Sequence, residues 1–343
     1  MTAAAVPQDP PGLDLGRLSD WFAASVPGAG AHLTARLIAG GKSNLTYEVG
    51  DGRTTWVVRR PPLGHVLATA HDMAREYRVM SALRATDVPV PTTYALCTDA
   101  DVLGAPFYVM ERVAGTAYRH AAELGRLGPE RTRVISTGLV DTLAALHAVD
   151  PAAVGLADFG RPDGFLARQV RRWKTQLDAS YCRDLPAADE LHARLVSGVP
   201  AESAPGIVHG DYRLDNVLTD DRDRLAAVID WEMATLGDPL TDLALLVLYQ
   251  RLGRLAGVAV ADASSAPGFL TEDEILQRYA ARSTRELPRF GFYLGLAAFK
   301  LAAILEGIHY RHLRGQTVGS GFERLGEVTE LLLDAGLTYL KEH

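Results

Sequence analysis

The sequence has few cysteines, and it lacks the patterns that mark export or membrane insertion. Two cysteines, Cys97 and Cys182, are too few for a disulfide framework and are typical of a reducing compartment. Residues 1–13 are rich in alanine and proline and do not have the basic-then-apolar order of a signal peptide. No apolar run approaches the ~20 residues that a membrane-spanning helix needs. We therefore predict a cytoplasmic protein without a membrane partner.

An excess of positive charge is also missing. The formal net charge of −7 at pH 7 gives no electrostatic reason for a nucleic-acid partner. Internal repeats and long low-complexity tracts are absent as well. The 343 residues are 48% hydrophobic and 22% charged, as in an ordinary globular protein with room for two separate cores. A monomer and a homodimer both remain open.

The most informative stretch, residues 209–232, contains an acid, an amide and a second acid in that order. Asn216 follows Asp211 by five positions, and Asp230 lies beyond a short polar turn. Phosphoryl transfer from a magnesium nucleotide needs one carboxylate at the acceptor hydroxyl, and an amide with another carboxylate on the metal. The catalytic loop and metal-binding turn of protein kinases have the same order. The stretch therefore predicts a small-molecule kinase.

Each of these motifs has a simpler explanation when it is taken alone. His-Gly-Asp is common in turns, and Asp230 alone would suit a helix cap. The flanking sequence favours catalysis, since Ile207 and Val208 form a short apolar run before the loop and residues 226–229 form a second run that ends at Asp230.

The first half of the chain contains a glycine turn between two predicted strands, 34–38 and 45–49. Gly41 allows backbone amides to approach phosphates, and Ser43 and Asn44 add donors. We predict that these three residues contact the nucleotide. A simple Gly-Gly hairpin turn is the alternative.

A phosphate clamp is predicted from the next strand and helix. Residues 56–60 form a strand in which Arg59 stands where a protein kinase has lysine, and arginine binds phosphate oxygens bidentately. Residues 71–83 form a helix by their apolar spacing, and Glu76 borders its apolar face. We expect Glu76 to pair with Arg59. The alternatives are a strand end for Arg59 and a surface position for Glu76.

The strand that begins at residue 107 is predicted to leave the first lobe through a hinge that ends near residue 115. Glu111 and Val113 are two positions apart, so their backbone groups face the same way. We predict that these backbone groups pair with the nucleotide base.

The second half of the chain has three predicted apolar helices and one basic segment. Asp242, at the start of one helix, is expected to anchor the catalytic loop, and His147 is expected to cap or pack. The basic segment 168–174 offers Arg168 and Arg172 for an anionic acceptor, although a solvated helix face is the default. Further candidates for substrate contact are Arg213, Asp215 and Glu232.

Together these motifs resemble the aminoglycoside phosphotransferase family, which has a kinase-like fold shared with choline kinase. The resemblance covers almost all of the chain after residue 30 and is strongest to the branch similar to the kinase-like region of acyl-CoA dehydrogenase family members 10 and 11. The segments that carry it are 41–47, 59–62, 70–73, 75–77, 106–111, 209–216, 230–234 and 237–239.

The resemblance implies an α+β, bilobal, protein-kinase-like fold. The expected parts are an N-terminal extension with a first helix (1–30), a nucleotide-binding antiparallel-sheet lobe (31–115) and a mainly helical lobe with the catalytic loop (116–343).

The same resemblance implies residue roles and a reaction. Asp211 is implied as the base, Asn216 and Asp230 as Mg²⁺ ligands, and Arg59 with Glu76 as the phosphate clamp. The donor is ATP, with GTP as an alternative, and the acceptor is the hydroxyl of a small molecule such as a hydroxy acid or its CoA ester. Aminoglycosides or amino alcohols are alternative acceptors, and a regulatory pseudokinase is the alternative outside catalysis.

Overall fold

A computed structural model describes residues 9–38, 44–63, 72–180, 182–201, 203–253, 262–287, 290–316 and 324–342. Among them, the strands are β1 Thr34–Leu37, β2 Leu45–Gly50, β3 Thr55–Arg60, β4 Thr93–Cys97, β5 Phe107–Glu111, β6 Gly206–Val208, β7 Val217–Thr219, β8 Leu225–Val228 and β9 Thr235–Gly237. The helices in the same residues are α1 Leu15–Ser25, α2 Met73–Leu83, α3 Ala100–Leu103, α4 Ala121–Leu127, α5 Pro129–Ala148, α6 Phe165–Ala179, α7 Pro186–Ser197, α8 Leu240–Leu252, α9 Glu272–Arg282, α10 Phe290–Leu313 and α11 Leu325–Tyr339.

The chain divides into two compact units. Unit 1 contains Met1–Gly115 together with Ala226–Glu232, and unit 2 contains Thr116–Leu225 together with Met233–His343. The segment Ala226–Glu232, which carries Asp230, thus belongs with the N-terminal residues although it lies far along the chain.

Unit 1 contains a five-stranded antiparallel sheet in the order β1-β2-β3-β5-β4. Alternate side chains point to opposite faces of a strand, and Tyr47, Val58 and Val109 share one face because their positions pair across β2, β3 and β5. This face packs on α1, which begins after its cap Asp14 and contributes the buried Phe22.

The opposite face of the same sheet carries polar side chains. Arg59 and Tyr108 follow Val58 and precede Val109 in their strands, and they pair in register with each other. Because they are one position out of step with the apolar residues, they lie on the face away from α1. Helix α2 is in contact with β4 and β5. The period of the strands therefore separates a hydrophobic core from a polar face that is also buried.

Unit 2 is mainly helical. Helix α5 buries the predicted face of Ile135, Leu139, Leu143 and Leu146. Helix α10 packs on α6, α8 and α11. An antiparallel pair of β6 and β9, in which Ile207 lies opposite Leu236, leads the chain into residue 209.

Helix α10 is the one element of the described chain that is long and apolar enough to cross a membrane by length and composition. The expectation that no apolar run approaches that length is therefore wrong for this helix. Inside the structure, 83% of its most apolar window is buried, and an apolar helix that is covered by other helices is typical of a protein core.

Candidate active site

The loop after β6 is anchored by the first turn of α8. The carboxylate of Asp242 accepts hydrogen bonds from the backbone N–H of His209 at 2.6 Å and of Gly210 at 2.8 Å. Asp242 is only 1% exposed, so these donors satisfy a carboxylate that is removed from water. The predicted anchoring role of Asp242 is confirmed by these contacts.

His147, at the end of α5, supports the same anchor. Its Nε2 atom lies 3.5 Å from Asp242 Oδ2, and its Nδ1 atom is 2.8 Å from the hydroxyl of Tyr279. Burial lowers the pKa of His147. Burial by itself would raise the pKa of Asp242, but His147, His209 and the Gly210 N–H lower it overall. The pair therefore favours an ionised Asp242 beneath the loop.

Gly210 is required by the shape of the loop. Its φ of +87° lies in the left-handed region, and a Cβ atom would stand 2.7 Å from both the Cβ and the carbonyl oxygen of Met233. Only glycine satisfies both conditions without strain. The tight turn exposes the next residue, Asp211, at the end of the loop.

The Asp211 carboxylate is held by one donor at each oxygen. Asn216 Nδ2 donates to Asp211 Oδ2 at 2.9 Å and to its backbone carbonyl at 2.8 Å. The Tyr249 hydroxyl lies 3.5 Å from Asp211 Oδ1, on the other side of the carboxylate. Since the amide nitrogen of Asn216 faces Asp211, its amide oxygen is directed elsewhere. An amide oxygen is a ligand that Mg²⁺ accepts.

Tyr249 is positioned in turn by a partly buried ion pair. Arg213 forms a two-pronged contact with Asp215 and donates to the Tyr249 hydroxyl at 3.0 Å. Burial raises the pKa of Tyr249, and the Asp211 charge raises it further. The hydroxyl therefore keeps its proton and is a donor towards Asp211.

The same three side chains line a pocket of unit 2. Its other walls are aromatic, aliphatic and polar side chains that come from α5, α8, the loop after β6, the segment before α4 and the segment between α8 and α9. The lining residues are Tyr118, Arg119, Leu139, Arg213, Leu214, Asp215, Leu246, Tyr249, Ala263, Ser264 and Phe269. Such a mixture of apolar walls with a few polar groups is usual in small-molecule sites.

Lys300 of α10 reaches the catalytic loop from another direction. Its ammonium donates to the carbonyl of Gly210 and lies 5.4 Å from the centroid of the Trp173 ring. Burial lowers the pKa of Lys300, while Asp211 and Asp242 raise it in part. A positive charge therefore lies beside the residue that precedes Asp211.

Unit 1 contains the predicted clamp. Arg59 Nε lies 3.0 Å from Glu76 Oε2, and Arg59 also donates to Asp230 Oδ1. The hydroxyl of Tyr108 donates to Glu76 at 2.9 Å. Burial raises the pKa of Glu76, and Arg59 and Tyr108 act against this rise. The pairing of Glu76 with Arg59 is confirmed, and the surface alternative for Glu76 is wrong because it is 1% exposed.

Asn44 and Glu232 extend this network. The side-chain amide of Asn44 donates to Glu76 at 3.2 Å and to Glu232 at 3.1 Å. Glu232 Oε2 lies 3.8 Å from Arg59 Nη2. Asp230 itself has a φ of +66°, a conformation that aspartate tolerates better than most residues. Three carboxylates, those of Glu76, Asp230 and Glu232, thus surround one arginine in unit 1.

Other predicted contact residues have backbone or structural partners. The N–H of Glu111 donates to Thr92 at 2.8 Å, and the carbonyl of Val113 accepts from the Arg112 guanidinium at 2.8 Å. Arg168 donates to the carbonyls of Arg161 and Asp163. Gly41 and Ser43 lie outside the described residues.

Sequence reasoning missed Tyr108, Tyr249 and the role of Lys300. Tyr108 stands on the polar face of β5. The alternation of side chains along this strand is the one sequence signal that points to its position. Tyr249 and Lys300 lie in nearly continuous apolar runs, where periodicity does not distinguish a core side chain from one that faces the site.

A family model described as the phosphotransferase enzyme family matches residues 34–293. The chain belongs to this phosphotransferase family. It is 34% identical over 342 residues to acyl-CoA dehydrogenase family member 11 of Gallus gallus, and the matched region covers 96% of the chain and 44% of that protein. It is also 34% identical over 300 residues to member 10 of Mus musculus, and the matched region covers 86% of the chain and 28% of that protein. The chain thus spans less than half the length of these relatives.

Solved structures of the family share the kinase-like fold. A candidate aminoglycoside phosphotransferase of Ralstonia eutropha is 34% identical, with a TM-score of 0.84 over 96% of the chain and 98% of that structure. The enzyme APH(4)-Ia in complex with ADP and hygromycin B is 16% identical, with a TM-score of 0.61 over 95% of the chain and 98% of that structure. The predicted α+β fold of the protein-kinase type is therefore confirmed.

Proposed function

We propose that this phosphotransferase moves the γ-phosphoryl group of ATP to a hydroxyl group of a small molecule. The observation that carries the proposal is the Asp211 carboxylate, which Asn216 and Tyr249 hold at its two oxygens on a loop fixed by Asp242. A carboxylate with a fixed orientation is what a general base needs.

Asp211 orients the acceptor hydroxyl and takes its proton. The acceptor oxygen forms a bond to the γ-phosphorus, the bond from that phosphorus to the bridging oxygen breaks, and ADP leaves. The hydroxyl proton passes to Asp211. Lys300 donates to the neighbouring carbonyl of Gly210 and helps to hold the loop that carries Asp211.

The nucleotide is held by the clamp of unit 1. Arg59 binds phosphate oxygens, and Glu76 holds the Arg59 guanidinium in place through their ion pair. Asn44, beside the clamp, is a further proposed donor to the phosphates, and Gly41 and Ser43 are proposed from the sequence alone. The APH(4)-Ia complex contains ADP, and a 17% identical structure of APH(2")-IIIa contains GDP and kanamycin. ATP is the proposed donor, and GTP is the alternative.

Asn216 and Asp230 are the proposed magnesium ligands, because an amide oxygen and a carboxylate are hard oxygen donors, and Glu232 is a further carboxylate near Asp230 along the chain. A bound Mg²⁺ would offset the negative charge of the transferring phosphoryl group. The base of the nucleotide pairs with backbone groups of Glu111 and Val113.

The proposed acceptor is a hydroxy acid or its CoA ester. Two relatives of the chain are named acyl-CoA dehydrogenase family members 11 and 10, and the CoA ester in the proposal follows from that name. An aminoglycoside is the second candidate, because the solved complexes of APH(4)-Ia and APH(2")-IIIa contain hygromycin B and kanamycin. A regulatory pseudokinase is disfavoured, since it has no chemical need for Asp211, Asn216 and Asp230 together. The proposed location is the cytoplasm.

The test is magnesium-dependent transfer of labelled γ-phosphate to hydroxy acids, their CoA esters, amino alcohols and aminoglycosides. We expect transfer to one of these classes and a loss of about 10²-fold or more in Asp211→Asn, with nucleotide binding retained. Near-normal turnover of Asp211→Asn would disprove the role of the base. Nucleotide binding without transfer to any acceptor would favour the pseudokinase.

A further inference from the structure

The basic segment of α6 separates into side chains with different partners. Arg168 donates to backbone carbonyls of the preceding loop. Lys174 pairs with Asp178 at 2.6 Å and with Asp189 at 3.3 Å. Backbone carbonyls therefore occupy the Arg168 guanidinium, and two carboxylates compensate the charge of Lys174. Arg172 is different.

The Arg172 guanidinium lies over an aromatic ring instead of a carboxylate. Its Cζ atom is 5.1 Å from the centroid of the Trp173 ring, and the indole is 2% exposed. Among the described residues, Arg172 has no carboxylate within 4.0 Å. Lys300 approaches the same ring, with Nζ 5.4 Å from its centroid. Two cations without an ion pair thus share one tryptophan.

Lys300 has hydrogen-bonding capacity to spare. An ammonium has three donors, and the described residues accept only one of them, through the carbonyl of Gly210. The described chain also places no carboxylate within 4.0 Å of Lys300. Burial lowers the pKa of Lys300, and the charge of Arg172 lowers it further. A partly buried ammonium next to a second cation is stabilised when an anion joins it.

The position of this pair relates it to the reaction. Lys300 contacts the carbonyl of the residue directly before Asp211, so an anion held there lies within the length of a small molecule from the base. The other cation near Asp211, Arg213, is already neutralised by Asp215.

We infer that Lys300 and Arg172, packed on Trp173, form an anion subsite that takes the carboxylate of the hydroxyl-bearing acceptor. This assignment rests on the proposed function and narrows its acceptor class. It requires a negative group on the acceptor and disfavours a polycation, because like charges at close range repel.

The experiment uses acceptors that differ only in the charge of one end. These are ω-hydroxy acids of three to six carbons, the diols of the same lengths and the amino alcohols of the same lengths. Initial rates of phosphoryl transfer give kcat/KM for each. We expect the hydroxy acid to be preferred over the diol of its length, and the amino alcohol to be the poorest acceptor.

Three variants test the residues. Lys300→Met and Arg172→Gln are each expected to lower the preference for acid over diol, by about tenfold for Lys300 and less for the more exposed Arg172, chiefly through KM for the acid. Lys300→Arg keeps the charge and should restore part of the preference. Arg171→Gln removes the same charge one residue away on α6 and is the matched control.

Calorimetric binding of the hydroxy acids to the full chain with ADP and Mg²⁺ separates the two hypotheses. One outcome is that the hydroxy acids bind, that Arg172→Gln loses this binding and that no acceptor is phosphorylated. This outcome supports the subsite and contradicts the proposed function. Transfer with equal rates for acid and diol overturns the subsite alone. An equal effect of Arg171→Gln, or no binding of any hydroxy acid, also overturns it. Thermal melts confirm that Lys300→Met is folded.

Discussion

At the scale of single residues, the proposed base is oriented by a side chain that lies outside the stretch 209–232. Tyr249 stands on α8, and its hydroxyl joins Asp211 to the partly buried pair of Arg213 and Asp215. Arg213 and Asp215 were candidates for substrate contact, but their closest partners are each other. Their proposed role is therefore to position Tyr249.

We predict that Tyr249→Phe lowers kcat by about tenfold and leaves KM for ATP unchanged, because one donor to Asp211 is lost while the ring is retained. Tyr118→Phe, in the same pocket, is the control. An unchanged kcat in Tyr249→Phe would contradict the positioning role.

The clamp of unit 1 gives a second prediction at this scale. Glu76 accepts hydrogen bonds from Asn44 and Tyr108 and forms an ion pair with Arg59. Glu76→Gln places a donor where only acceptors fit and leaves Arg59 without its buried partner. We expect it to lower the free energy of unfolding by about 3–5 kcal/mol and to raise KM for ATP.

The matched control is Glu48→Gln. Glu48 is likewise paired with arginine, through two side chains at 2.8 Å and 3.0 Å, but it lies at the surface. Ion pairs at the surface contribute about 0–1 kcal/mol. Denaturant titration of both variants measures the difference. Equal losses would show that the buried clamp has no special contribution to stability.

At the scale of elements, the loop between β6 and β7 depends on the close approach of Gly210 to Met233. Gly210→Ala combines a positive φ with a clash against Met233. Gly155→Ala has a positive φ of +74° and no atom within 4 Å of the new Cβ, so it measures the backbone term alone, about 1–2 kcal/mol. We expect Gly210→Ala to lose more stability than Gly155→Ala by denaturant titration, together with most activity. Equal losses would show that Met233 moves aside freely.

At the scale of the whole molecule, stability should depend on pH through the anchor beneath the loop. Burial lowers the pKa of His147 from its usual 6.5, so the unfolded chain binds a proton first as the pH falls. The stabilisation is complete above pH 6.5 and is lost as the pH falls towards the folded pKa, by about 1.4 kcal/mol per pH unit at most. Asp242, whose pKa is lowered from 3.8, adds a further loss of stability as the pH falls below 3.8.

The measurement is denaturant unfolding between pH 8 and pH 4. His147→Gln should flatten the slope between pH 6.5 and the folded pKa of His147, whereas His120→Gln, at the surface, should not. A slope that persists in His147→Gln would assign the dependence to other groups.

The sequence alone determined the order of acid, amide and acid, the pairing of Arg59 with Glu76 and the anchoring by Asp242. These features depend on local spacing, on strand and helix periods and on family resemblance, all of which are properties of neighbouring residues. It also predicted the boundary after residue 115.

Only the tertiary structure decided which charges are compensated and which are not. Arg168 and Arg172 look alike in the sequence, yet one binds backbone carbonyls and the other lies on Trp173. Tyr249 and Lys300 converge on the catalytic loop from positions 38 and 90 residues away from their partners in it. Such contacts follow from how α6, α8 and α10 pack, and packing is a long-range property that local sequence patterns do not contain.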